Sequence, residues 1–265
     1  MSSLCARSLS GLPEVAAGSD LGELISGALD AEQPPRGLQD GQIVAIAHKV
    51  VSKAEGAVVD LRHVEPGPRA RELTTAIAAQ SAAHAKDPRA IQVVLDQSEE
   101  ILRQANGVLI CRTHHGFVCA NAGVDASNSV GVGETETLIV LPRDPDASAR
   151  RIRARLRELT GARVGVVISD SFGRAWRHGQ CDVAIGCAGL LVLDDWRGRS
   201  DSVGMELHAT WLAVADAIAS LADLARAKDS REPVVVVEGL ERFVSDDDGP
   251  GALALLRPLE EDLFR

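Results

Sequence analysis

Two stretches of this chain carry the residue types needed for metal-assisted phosphate chemistry. Val118-Cys119-Ala120-Asn121-Ala122-Gly123-Val124-Asp125-Ala126-Ser127-Asn128 is an apolar run that leads to an acidic residue set among amide, hydroxyl and glycine groups. Val166-Val167-Ile168-Ser169-Asp170-Ser171-Phe172-Gly173-Arg174 repeats the pattern, with Asp170 lying 45 residues beyond Asp125. Strand ends on a rigid scaffold hold hard oxygen ligands at a cleft. Two carboxylates with a hydroxyl suit Mg²⁺ or Mn²⁺, which take a few protein oxygens plus water and substrate phosphates. The plainer reading of each aspartate is a turn residue that binds its own backbone.

The segment Gly173 to Gln180 follows directly and supplies Arg174, Arg177 and His178. Guanidinium groups beside a metal clamp phosphate or carboxylate bidentately; the alternative is an ordinary polar surface loop. Asp125, Asp170 and Arg174 therefore form the candidate catalytic set. Lys49 and Lys53 stand four apart around a strand terminus, either as surface lysines or within reach of a phosphate. His114-His115 reads as a turn, and Cys119 and Cys181 as small core residues. No GxxxxGK phosphate loop occurs and no GxGxxG follows a strand, so any nucleotide site is of another kind.

The elements that must position these residues read as follows. Gln42 to Val51 is a strand opened by Asp40-Gly41, and Pro68 to Gln80 is a helix. Ile91 to Gln104 continues as one or two short helices. Gly107–Thr113 and Gly116–Ala120 form a hairpin, and Leu138 to Leu141 is a further apolar run stopped by Pro142. Asp144 as N-cap and Pro145 at the first helical position start a helix that runs to Thr160 and stops at Gly161. Its arginines spread too widely around the helix for one binding stripe and read as a solvated face. Val164 to Ile168 is a buried strand, followed by a polar loop from Asp170 to Cys181. His208 to Ala227 is strand-then-helix or helix throughout, and Pro233 to Val237 is a strand. Strands and helices alternate too irregularly for a doubly wound sheet, so the expected class is α+β, with mixed sheets and flanking helices. Residues 1–244 read as the main domain, of one or two subdomains. Residues 245–265 read as an acidic Gly-Pro linker with a final amphipathic segment.

Composition narrows the function. Aromatic residues make up only 3% of the 265 residues, with no tyrosine, so the core is expected to be aliphatic, and the composition argues against stacking platforms for single-stranded nucleic acid. A net charge of −10 opposes a nucleic-acid partner, while a bound divalent ion would still let anionic small molecules in. Five cysteines without a CxxC pair point to a reducing compartment, and the expected location is the cytoplasm. No apolar run approaches the roughly 18 residues of a membrane span.

The motifs resemble one family. Gly11-Leu12-Pro13-Glu14-Val15, Lys49-Val50-Val51-Ser52-Lys53-Ala54-Glu55-Gly56, Asn121 through Asn128, Asp144 through Ser148, and Ser169 through Arg174 with Asp182-Val183-Ala184-Ile185-Gly186 occur in this order in the coenzyme F-420:L-glutamate ligase (F-420-0:gamma-glutamyl ligase) family. The resemblance runs from about Gly11 to Leu240. It implies a GTP-dependent ligase that joins L-glutamate to the terminal carboxylate of a deazaflavin precursor, through an acyl phosphate, and then adds further glutamates by gamma linkage. It also implies Asp125, Asp170 and Ser171 as ligands of Mn²⁺ or Mg²⁺, with K⁺ as a further candidate. Leu12, Pro13, Glu14, Val15, His48, Lys49, Lys53 and Asn128 resemble the GTP-contacting positions, and an intertwined α+β homodimer is the implied assembly.

Three positions depart from the family pattern. Ala227 and Arg231 stand where glycines are common in a nucleotide loop, and His48 where a small hydroxyl residue is frequent. The C-terminal segment resembles the joining segment of two-domain members whose second domain is nitroreductase-like. The competing expectations are a ligase acting on a variant carboxylate acceptor and a nucleotide- or deazaflavin-binding relative without turnover.

Overall fold

The computed structural model describes residues 3–80, 86–126 and 137–262. Its centre is a five-stranded sheet in the order β1 (Cys5–Ser8), β12 (Val234–Glu238), β2 (Ile43–Ala47), β8 (Gly165–Arg174) and β9 (Arg177–Ala188). β2 and β8 run parallel and the other neighbours antiparallel. The class is α+β. Alternation along the strands sorts the core into two layers, because successive strand residues face opposite sides. Val44, Ile46, Val166, Ile168, Val234 and Val236 pack against α1 (Leu21–Ala31) and α5 (Pro145–Thr160) through Ile25, Leu29, Ile152 and Leu156. Ile43, Ala45, Val167, Val235 and Val237 face α6 (Val214–Ala225) through Ile218 and Ala222. Both faces are covered, which is why these strands read as continuous apolar runs.

α5 starts and stops where its punctuation places it. Asp144 accepts a hydrogen bond from the Ala147 amide at 2.8 Å, and Gly161 closes the helix in the left-handed region at φ +75°. The first turn and body of α5 also hold the C-terminal segment. Asp146, 5% exposed, accepts the amides of Cys187 and Ala252 at 2.7 Å each. Arg153, 7% exposed, donates to the carbonyls of Val164 (2.9 Å) and Ser245 (2.7 Å) and to Asp248 (2.7 Å).

A second layer of structure flanks the sheet. α3 (Pro68–Gln80) and α4 (Pro88–Asp96) pack on the sheet of β4 (Ser98–Ala105), β5 (Val108–Thr113) and β6 (Val118–Ala120) around Leu73, Ile77, Ile91 and Leu109. β3 (Val58–Asp60) pairs with β7 (Thr137–Ile139), and β10 (Leu193–Asp195) with β11 (Trp211–Ala213). Among the described residues no helix is long and apolar enough to cross a membrane.

Three boundaries differ from the sequence reading. The strand expected over 42–51 ends at Ala47, and α2 (His48–Ala54) begins at once. The β-branched Val50 and Val51 look like strand residues, but both pack a helix onto the main core. The helical reading of 91–104 stops at Asp96, where β4 takes over as an antiparallel partner of β5. The polar loop expected over 170–181 is instead the outer half of the β8–β9 hairpin. Cross-strand pairing holds those polar residues extended where apolar burial does not. Of the two readings of 208–227, the structure takes strand-then-helix, β11 followed by α6.

Candidate active site

α2 gathers the site. It leaves the C-terminal end of β2, whose Ala47 pairs with Ser169 on β8, and its side chains reach three separate motif blocks. Lys53 Nζ donates to Glu14 Oε1 at 2.5 Å, tying the Gly11–Val15 block to the helix. Lys49 Nζ meets Asp125 Oδ2 at 2.6 Å. His48, only 1% exposed, places Nε2 3.3 Å from Asp170 Oδ1 and Nδ1 3.3 Å from Ser52 Oγ. The Nε2 contact is close but not a formed hydrogen bond, and among the described residues this buried nitrogen has no hydrogen-bond partner. Glu14, Val15, Ala16, Ala17, Lys53, Gly56 and Val58 line a cleft of about 430 Å³, while Leu12 packs on the main core.

Neither aspartate sits at a strand end as the sequence suggested. Asp170 lies within β8, where its Oδ1 accepts the Ser171 amide at 2.8 Å. Asp125 follows a left-handed turn in which Asn121, Ala122 and Gly123 have φ of 51°, 54° and 69°. Asp125 then makes an isolated bridge with Ile139, with its amide donating at 2.9 Å and its carbonyl accepting at 2.8 Å. Asn121 Oδ1 braces the turn by accepting from Lys86 Nζ at 3.0 Å and the Leu109 amide at 3.3 Å. Asn128 lies outside the described residues.

Ser171 looks the other way. Asp170 shares its side of β8 with Ile168, on the α5 face. Ser171 faces the end of α6, paired with Asp182 on β9. Ser169 and Ser171 each donate a hydroxyl to Asp182 at 2.7 Å, and the Arg226 guanidinium binds the same carboxylate. Lys228 Nζ donates to Ser171 Oγ at 3.0 Å and to Asp223 Oδ1 at 2.6 Å. Burial pushes the Asp182 carboxyl up, but the Ser171 hydroxyl, the Arg226 charge and the Ser169 hydroxyl outweigh it and hold the group below its ordinary value. Asp182, Arg226 and Lys228 were not among the sequence candidates. Arg174 lies four strand residues beyond Asp170, roughly 13 Å along β8, and donates to its own hairpin's His178 carbonyl at 2.8 Å. Cys119 is buried, and burial, then the Asp170 charge, push its thiol up to about 12, which opposes a nucleophilic role.

For a divalent ion, Asp125 and Asp170 fit by donor type, as hard carboxylates presented to neighbouring residues of one helix. Among the described residues no three His, Cys, Asp or Glu side chains close into a metal cage. Ser171 does not join that pair, because it points to the opposite face and its hydroxyl is already engaged as both donor and acceptor.

Known proteins match nearly the whole length of the chain. The family model described as F420-0:Gamma-glutamyl ligase matches residues 11–239. The chain is 42% identical over 254 residues to the Coenzyme F420:L-glutamate ligase of Methanopyrus kandleri, covering 95% of this chain and 94% of the relative. It is 42% identical over 229 residues to the protein of that name from Methanocaldococcus jannaschii, covering 86% of each. It is 41% identical over 261 residues to that from Halobacterium salinarum, covering 98% of this chain and 95% of the relative. The motif blocks quoted above, from Gly11 to Gly186, fall inside the matched region, and the chain belongs to the F420-0:gamma-glutamyl ligase family.

Proposed function

We propose that this protein is a GTP- and divalent-metal-dependent ligase that adds L-glutamate to the terminal carboxylate of a deazaflavin coenzyme precursor. The observation that carries the reading is the convergence on α2, where His48, Lys49 and Lys53 reach Asp170, Asp125 and Glu14 within two helical turns. A carboxylate is a poor electrophile, so the acceptor oxygen first attacks the nucleotide's γ-phosphorus and GDP leaves. The glutamate amine then attacks the acyl carbon, the carbon–oxygen bond to phosphate breaks, and the amine's surplus proton passes to solvent. The protein contributes position and charge. Lys49 and Lys53 turn from their carboxylate partners to nucleotide phosphates, Glu14 and Val15 form part of the wall of the adjoining cleft, and Leu12 and Pro13 contact the nucleotide beside it. Asp125 and Asp170 would hold Mn²⁺ or Mg²⁺, which supplies neutralising charge to phosphate oxygens. K⁺ and a homodimeric assembly belong to the same proposal, the latter tested by light scattering.

A second reading, a nucleotide-binding relative without turnover, draws on Arg231, a non-glycine residue at φ +57° on the edge of the proposed nucleotide loop. Asp125 and Asp170, both held against α2, oppose it. The deciding experiment incubates the protein with GTP, Mn²⁺, L-glutamate and the glutamate-free precursor and reads product mass. Mass steps of one glutamate residue, lost without GTP or metal and lost in Asp170→Asn, are the expected result. Wild-type rates in Asp170→Asn at saturating Mn²⁺ would sink the metal assignment, and GTP binding without product would favour another acceptor.

A further inference from the structure

The α6 side of the β8–β9 hairpin has the oxygen donors of a cation site, and cations of the protein itself occupy them. Asp182 is 1% exposed. Its Oδ2 takes the Ser169 hydroxyl and the Arg226 guanidinium, and its Oδ1 takes the Ser171 hydroxyl. A serine hydroxyl has one proton and two lone pairs. With the Ser171 proton committed to Asp182, a lone pair turns outward, and there it meets an ammonium: Lys228 Nζ at 3.0 Å. The same ammonium lies 2.6 Å from Asp223 Oδ1 and 3.7 Å from Asp182 Oδ1. Among the described residues two carboxylates thus face one guanidinium and one ammonium, which leaves no net negative charge there to attract a divalent ion. The α2 side differs, since there Asp125 and Asp170 face one lysine and one histidine.

We infer that Lys228 is a built-in cation that takes the Ser171, Asp182 and Asp223 oxygens in place of a metal ion. The α6 side therefore already holds its counter-cations, and of the two faces only the α2 side is open to a divalent ion. Arg226 has a separate part: it anchors Asp182, with a further hydrogen bond to the Pro233 carbonyl at 3.1 Å.

Mn²⁺ stoichiometry tests this, read from the electron paramagnetic resonance of free Mn²⁺ during titration of the full chain. The wild type, Lys228→Ala, Lys228→Arg and Ser171→Ala are compared, each checked for folding by thermal melting. The expected pattern is one more Mn²⁺ per chain in Lys228→Ala than in the wild type. Lys228→Arg should keep the wild-type count, and Ser171→Ala should keep the wild-type affinity within about twofold. An unchanged count in Lys228→Ala overturns the inference, as does a tenfold loss of affinity in Ser171→Ala. A wild type that binds no Mn²⁺ beside a Lys228→Ala variant that binds one would uphold the inference while removing the metal from the Asp125–Asp170 pair. Because Lys228 has a side chain 67% exposed and Asp182 keeps Arg226, its removal leaves the buried ion pair intact.

Discussion

Gly123→Ala should damage stability and ligation together. Gly123 has φ +69°, and a Cβ added there would lie 2.8 to 2.9 Å from Cγ, Cδ1 and Cδ2 of Leu141, which is 3% exposed. Placing a side chain in the left-handed region costs about 1–2 kcal/mol, and forcing a buried leucine aside about 1–3 kcal/mol. The reduced freedom of the unfolded alanine chain returns only about 0.4–1 kcal/mol. The net loss is about 1–4.5 kcal/mol, measurable by urea denaturation, and a loss near the middle of that range lowers Tm by about 5–12 °C. Relief by moving the turn would carry Asp125, two residues on, away from Lys49, so ligation should fall about tenfold or more. Ala122→Gly is the control. Ala122 already sits at φ +54° with 1% exposure, so release of left-handed strain offsets the lost methyl burial and the added chain entropy to within about 1 kcal/mol. A Gly123→Ala protein within about 0.5 kcal/mol of wild type and fully active would refute this account of the turn.

Other positions give independent checks. Partial burial pushes the Asp20 carboxyl up, but the Glu23 amide and Arg155 guanidinium together hold it below its ordinary 3.8. Its contribution to stability is therefore present above that pH and lost as pH falls through the depressed folded value; denaturant curves of wild type and Asp20→Asn should converge in acid, and a gap that widens there contradicts the sign. Iodoacetamide on the native protein at pH 8 should modify exposed Cys5 and spare buried Cys111, Cys119 and Cys187, whose thiols burial pushes up; mass mapping that finds Cys119 alkylated first would contradict its placement. Arg231→Gly should change stability by less than about 1 kcal/mol, since relief at φ +57° is offset by glycine's chain entropy. The same change should tighten GTP binding severalfold, and an unchanged Kd by calorimetry would take this loop away from the nucleotide.

Local signals in the sequence were reliable where the chemistry is local. Asp144, Pro145 and Gly161 mark both ends of α5 because caps and left-handed stops depend on a few neighbouring residues. The motif blocks likewise located Asp125, Asp170, Lys49 and Lys53, which α2 brings together. The boundary between β2 and α2 was hidden because Val50 and Val51 satisfy both a strand pattern and a helix face. The outer β8–β9 hairpin was hidden because its partners are polar and its order comes from pairing across the hairpin. Asp182, Arg226 and Lys228 were missed for a related reason. Asp182 stands 44 residues from Arg226, and no spacing rule links a strand carboxylate to a cation at the end of a distant helix. The opposite facing of Asp170 and Ser171 was legible in principle from strand alternation, once β8 is known to continue through both.

The grip of α5 on residues 245–253 sets a lower limit on any fragment that should fold well. Cutting the chain at Val244 would remove Asp248 and the Ser245 and Asp246 carbonyls from Arg153, and the Ala252 and Leu253 amides from Asp146. Two nearly inaccessible charged groups would then lose most of their partners, a change of the kind that costs about 3–5 kcal/mol. The acidic tract therefore acts as the last course of the core's masonry, and a trimmed expression variant should retain the chain through Leu256, whose side chain packs on the main core.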